Sequence, residues 1–254
     1  MKKNYDIVYS LGGDCTCARY MLKYHLRSYA SPFDWLAFVD FAPRMKLIEN
    51  DFKNFMNLED LKFIQRKPGL DYLNPKIIDF EDTRNGFHFY HDFPKGQTLE
   101  ESYPEVKAKY DRRIKRFLNQ LKTAENPLLI WLSHYEPTDN GTLIDCCGRL
   151  TKKFNKNIDF IIIENDESKS PGETEKISLA PNIVKYKTLT KDPLVSGKIP
   201  LTARGCDKIF SEIRCKGQTG RRIRHILNNV LTRFLCLFIP YRPWRKAFKH
   251  RQKL

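Results

Sequence analysis

Two stretches constrain this chain more than any others. Residues 127–134 read PLLIWLSH and residues 158–166 read IDFIIIEND. A strand with apolar side chains at consecutive positions has no face to offer water, so it belongs inside a sheet covered on both sides. Between the two runs, residues 142–154 (TLIDCCGRLTKKF) have helical spacing, and NIVKYKTL at 182–189 reads as a further strand. NDESKSPGETE, at 165–175, reads as a polar surface loop. Strand, helix and strand in succession predict an α/β fold: a mixed, mainly parallel sheet with flanking helices. A papain-like α+β arrangement is the alternative.

The N-terminal half fits the same frame with one excursion. YDIVYSLGG, at 5–13, is a short strand stopped by glycine, and CTCARYMLKYHL, at 15–26, is a helix. Residues 41–64 (FAPRMKLIENDFKNFMNLEDLKFI) form one or two helices. KIIDFEDTRNGFHFYHDF, at 76–93, has two alternating runs around Asn85-Gly86, which predicts a β-hairpin. Residues 99–124 then form a long amphipathic helix with Val106, Tyr110, Ile114, Phe117, Leu118 and Leu121 on one face.

The net charge of +15 is unevenly distributed. Residues 213–254 carry twelve Lys/Arg and no acid, leaving 33 basic against 30 acidic residues, a net +3, in residues 1–212. This asymmetry divides the chain into a catalytic-like α/β domain (1–212) and a basic appendage (213–254). In the appendage Ile226, Leu227, Val230, Leu231, Phe234, Leu235 and Phe238 fall on one helical face, opposite Arg224 and Arg233, with Pro240 and Trp244 beyond. An apolar face, a basic face and a Trp predict a helix lying on an anionic membrane surface. Nucleic acid is not an expected partner, because the basic residues alternate with Leu, Ile and Phe rather than with a stacking platform. No run is long and apolar enough to span a bilayer. The interrupted apolar character of MKKNYDIVYS argues against a signal peptide, and seven cysteines without framework spacing fit a reducing compartment. A cytoplasmic protein, peripheral on the inner membrane face, is the expectation.

The chemistry concentrates after the first strand. Gly12 and Gly13 permit a tight turn, and Cys15 follows at the start of a helix, where backbone N–H groups and the positive dipole end favour a thiolate and could hold an oxyanion. Cys17 points elsewhere and belongs to the core. A cysteine nucleophile needs a base. His91 lies where the hairpin strand ends, and His134 ends the strand PLLIWLS; both are candidates. Arg112, Arg113 and Arg116 read either as the polar face of a helix or as an anion clamp. Cys146-Cys147 has no partner pair that would make a zinc site, and no phosphate-binding glycine loop is present, so no metal or cofactor is expected.

The motifs SLGGDC (Ser10–Cys15), PFDW (Pro32–Trp35), HDF (His91–Phe93) and the arginines at 112, 113 and 116 together resemble a family of papain-like cysteine peptidases of unknown function from bacteria. The resemblance spans residues 5–165 and implies Cys15 as nucleophile and His91 as base, with Asp34 or Asp92 as the acidic partner. The Gly-x-Cys turn is also similar to the start of some capsule-polysaccharide acyltransferases, and the tail to those of surface-glycan biosynthesis proteins. The function expected is a Cys-His hydrolase or acyltransferase in surface-polysaccharide production, with a glycan or acyl donor as substrate. A non-catalytic glycan- or acyl-carrier-binding protein is the alternative. The oligomeric state is left open.

Overall fold

The computed structural model describes residues 3–66, 75–134, 136–190 and 203–236. In chain order the first half contains β1 (Asn4–Tyr5), β2 (Ile7–Gly12), α1 (Cys15–Lys23), β3 (Leu36–Ala37) and α2 (Phe41–Glu49). These are followed by β4 (Leu61–Phe63), β5 (Ile77–Asp82), β6 (Phe87–Pro94) and α3 (Leu99–Thr123). The second half contains β7 (Pro127–Ser133), α4 (Asn140–Phe154), β8 (Asp159–Asn165), β9 (Thr174–Ala180), β10 (Ile183–Thr188), α5 (Arg204–Glu212), β11 (Arg214–Cys215) and α6 (Gln218–Leu235).

The central sheet has the order β2-β7-β8-β10-β9. Its first four strands are parallel, and β9 adds to β10 antiparallel at the edge. The fold is therefore α/β with a mainly parallel sheet, and the α+β alternative is set aside. The apolar run in β7 explains the two-sided cover. Leu128, Ile130 and Leu132 join Val8, Cys17, Tyr20, Met21, Cys206 and Phe210, a core that includes residues of α1 and α5. Leu129 and Trp131 point the other way, into a core with Phe41, Tyr110, Phe117, Leu143 and Leu150 from α2, α3 and α4. Period-2 alternation thus sends neighbouring apolar residues into two different cores.

Between α1 and α3 the chain makes a second, antiparallel sheet of order β3-β6-β5-β4. The predicted hairpin is its centre, with Gly86 at φ +75° and its N–H donating to Asp82 O. Its registers contain a bulge. Ile78 pairs with Phe93 and Phe80 with Phe89, so Tyr90, His91 and Asp92 on β6 oppose Asp79 alone. Extra residues on one strand bend it and re-aim side chains. Unbroken alternation would set His88 and His91 on opposite faces, but the bulge lies between them and breaks the alternation.

Arg44 joins the two sheets. It is completely buried. Its Nε donates to Val39 O (2.8 Å), Nη1 to Leu11 O (3.1 Å) and Nη2 to Leu36 O (3.2 Å). Its guanidinium carbon also lies 5.1–5.7 Å from the ring centroids of Phe33, Phe87 and Trp131.

Contacts divide the chain into one unit through Cys215 and another from Lys216. The charge pattern suggested a boundary after Glu212, but β11 pairs in parallel with β1, which keeps Arg214 and Cys215 with the first unit. The second unit is α6, on which Ile223, Ile226, Leu227, Val230 and Leu231 are more than half exposed. The expectations for Phe238, Pro240 and Trp244 lie outside the described residues. Among the described residues no helix is long and apolar enough to cross a membrane.

Replacing Arg44 with Met keeps most of the apolar stem but removes the side-chain donors to the Val39, Leu11 and Leu36 carbonyls. Leaving a buried acceptor unsatisfied costs about 1–3 kcal/mol. The expected result is a destabilisation of that order in urea unfolding, with the m-value unchanged.

Candidate active site

β2 ends beside β7, with Gly12 level with Trp131. Gly12 and Gly13 both take left-handed backbone angles, φ +92° and +98°. A Cβ on Gly13 would sit 2.0 Å from Leu132 O, and one on Gly12 2.6 Å from Arg44 Nη1. These positions need glycine because the turn lies against the protein's own backbone and against Arg44. Asp14 then caps α1 by accepting from Thr16 N at 2.7 Å, and Cys15 is the helix's first residue. Among the described cysteines Cys15 alone is partly exposed; the others are buried. Cys17 lies in the core, with its Sγ 3.7 Å from Ile130 O.

The thiol environment differs from the expectation of a depressed pKa. Burial is the largest influence on Cys15 and the Asp14 carboxylate adds to it, pushing the thiol up to about 12; Arg19, one helical turn on, pulls it down. Desolvation and a neighbouring negative charge outweigh the helix start. Cys15 therefore rests as a protonated thiol and needs a base to become a nucleophile.

His91 lies in the β6 bulge, with its ring edge-on to Trp35 at a centroid distance of 5.2 Å. Burial is the chief influence on its pKa and lowers it; Asp92 and Asp79 raise it, and Arg66 and Arg19 lower it further. Its imidazole is thus held neutral, the form that accepts a proton. The charge of Arg19 acts on both Cys15 and His91.

The two proposed acids are occupied elsewhere. Asp34 accepts from Arg27 Nη2 (2.6 Å) and Ser31 N (3.0 Å), closing the turn that precedes Trp35. Ser31 Oγ donates to Ser10 O, which ties this turn to β2. Asp92 accepts from Lys109 Nζ (2.5 Å) and Tyr110 OH (2.9 Å) on α3. Neither accepts a hydrogen bond from His91 among the described residues. The arginines separate too. Arg112 is exposed. Arg113 lies over Tyr110, and Arg116 lies over Tyr29 and donates to Ala30 O.

His134 follows β7 and so shares the carboxyl edge of the sheet with Cys15, the edge where parallel sheets collect ligands. Its Nδ1 is 2.7 Å from Thr190 Oγ1 and its Nε2 is 3.7 Å from Asp14 Oδ2. The loop after it is pinned by Glu164, which accepts from Thr138 N at 3.0 Å and pairs with buried Lys185 at 2.5 Å. Arg19, Thr190 and Asn165 were not singled out from sequence, and Asp14 entered only as part of the glycine turn. Arg19 carried the clearest signal, sitting four residues from Cys15 on the same helical face. Among the described residues no cluster of three or more His, Cys, Asp or Glu could hold a metal ion.

The profile of a protein family described as "Putative papain-like cysteine peptidase" matches residues 6–167. A similar curated protein is "Uncharacterized protein R408" of Acanthamoeba polyphaga mimivirus, 28% identical over 198 residues, covering 72% of this chain and 88% of the relative. No solved structure matches the chain.

The electrostatics predict the reactivity of Cys15. At pH 8 it should alkylate with iodoacetamide more slowly than a peptide thiol, whose pKa is about 8.5. Asp14→Asn, which retains a capping oxygen, should speed the reaction, and Arg19→Met should slow it. Peptide mapping of the labelled cysteine against pH checks all three.

Proposed function

Because the chain belongs to that cysteine peptidase family, we propose that it is a cysteine-dependent hydrolase in which Cys15 attacks an acyl carbon and His91 takes the thiol proton. The observation that carries this reading is the placement of Cys15: a partly exposed thiol on the first turn of α1, at the carboxyl end of β2. A neutral imidazole and a protonated thiol suit general-base catalysis rather than a resting ion pair. As the sulfur–carbon bond forms, the proton passes to His91 and from there to the leaving group. Water, deprotonated by the same imidazole, then cleaves the thioester and regenerates the thiol.

The finer reading is acyl transfer, with a glycan hydroxyl replacing water as acceptor, in the production of a bacterial surface polysaccharide. Its support is the likeness of the Gly-x-Cys turn and of the tail, together with the chemical equivalence of the two acceptors. The membrane part rests on α6. Its exposed Ile223, Ile226, Leu227, Val230 and Leu231 share the helix with Arg221, Arg222, Arg224 and Arg233, and residues 213–254 contain no acid. An anionic leaflet offers about 1 kcal/mol per nearby Lys or Arg as well as cover for the apolar row.

Cys15→Ser and His91→Ala should each abolish turnover of an activated acyl ester while leaving the far-UV circular dichroism unchanged. Full activity in Cys15→Ser would exclude the nucleophile. Because His91 acts as the neutral base, kcat/KM should fall as pH drops through its folded-state pKa, with the acid limb below the ordinary imidazole value of about 6.5. For the tail, Leu227→Glu with Leu231→Glu should release the full-length chain from anionic vesicles in co-sedimentation. Equal binding by the parent and the double variant would remove α6 from the membrane reading.

A further inference from the structure

The hydrogen bonds around His134 fix the position of its proton. Thr190 N donates to Asn165 Oδ1 at 2.9 Å. A backbone N–H is only a donor, so the Asn165 amide must present its oxygen there. Thr190 Oγ1 lies 2.9 Å from the same oxygen and donates its single proton to it. The hydroxyl then has only lone pairs left for His134 Nδ1, 2.7 Å away, so Nδ1 carries the imidazole hydrogen. The opposite nitrogen, Nε2, faces Asp14 Oδ2 at 3.7 Å, and Asp14 is the residue before Cys15.

The fold sets this chain of groups at one edge. Asn165 ends β8, in register with Thr188 of β10, and Thr190 follows two residues later. His134 follows Ser133, the β7 residue paired with Glu164. Thr190 is completely buried, and the His134 side chain is 5% exposed. Water therefore competes little for these hydrogen bonds.

We infer that Thr190 and Asn165 are positioning residues that hold His134 with its proton on Nδ1 and its Nε2 lone pair turned to the Asp14–Cys15 turn, so that His134 is a second proton acceptor of the site beside His91. On accepting a proton, His134 becomes an imidazolium within 3.7 Å of the Asp14 carboxylate, which stabilises the new charge. Part of the negative field that Asp14 exerts on Cys15 is then cancelled. The functional half of this inference rests on Cys15 being the nucleophile; the tautomer does not.

The test uses the full-length chain with 15N-labelled histidine, with His134 assigned by the loss of its signals in His134→Gln. Long-range 1H–15N correlations above the imidazole titration report which nitrogen is protonated. The expected result is Nδ1–H in the wild type and in Thr190→Ser, and Nε2–H in Thr190→Val. Asn165→Leu frees the Thr190 hydroxyl to donate to the ring, so it should give the same switch and serves if the valine variant does not fold. A wild type carrying Nε2–H, or a tautomer unmoved by both variants, overturns the inference. The second readout is acylation of Cys15 by 4-nitrophenyl acetate. Thr190→Val should slow it roughly tenfold near neutral pH, less than the loss of a sole general base, and Thr190→Ser should restore it. Unchanged acylation with a switched tautomer overturns the role of His134 in the site. A wild type that is never acylated at Cys15 overturns the hydrolase reading, while the tautomer result still decides the placement of His134.

Discussion

The arrangement of this protein depends on one guanidinium placed where side chains of its type seldom go. Arg44 has no exposure and directs its donors to the carbonyls of Leu11, Leu36 and Val39. These belong to the end of β2, to β3 and to the approach to α2. Removing an arginine from water is expensive, and its hydrogen bonds offset that cost only when the geometry is good. A planar fork of five donors among three carbonyls and three aromatic faces meets that condition in a way a lysine would not. The antiparallel sheet that carries His91 is thereby fastened to the strand that carries the Cys15 turn.

From that junction the polar groups sort by which element holds them. The N-terminal group is Asp14, which caps α1, with Cys15 and Arg19 on that helix. The antiparallel sheet contributes His91 through its bulge, backed by Trp35. The parallel sheet contributes His134, Asn165 and Thr190 from the ends or extensions of three adjacent strands. Burial keeps the thiol protonated and the His91 imidazole neutral, so neither of these two groups is charged at rest. Charge is expected to develop only when a substrate arrives, as suits a nucleophile activated by a positioned base.

The parallel core was legible in sequence because PLLIWLS and DFIIIEN have no polar face to misread. β9 was not. TEKISLA is an antiparallel edge strand with none of its residues fully buried; its first two residues read as the end of a polar loop and the rest gave no strand signal. The helix expected to run on from α2 stops at Glu49, and Asp51, Phe52, Asn54 and Met56 take left-handed angles that no propensity rule anticipates. The place of Cys15, after two glycines at a helix start, was legible, whereas the thiol's environment was not. A sequence shows the helix start that lowers a pKa but conceals the burial that raises it. Arg44 was passed over for a related reason: an arginine in an amphipathic helix is ordinarily assigned to the solvent side.

The contact between Gly13 and Leu132 O gives the site a common datum. The turn rests directly on the end of β7, and the strand leads two residues later to His134. The height of Cys15 above the sheet is therefore measured from β7 as much as from β2. The close approach of Gly13 to Leu132 O leaves no room between the turn and that strand's backbone. The consequence is a shared footing: the Cys15 turn and His134 both stand on the end of β7, whereas His91 belongs to the other sheet, which reaches β2 through Arg44.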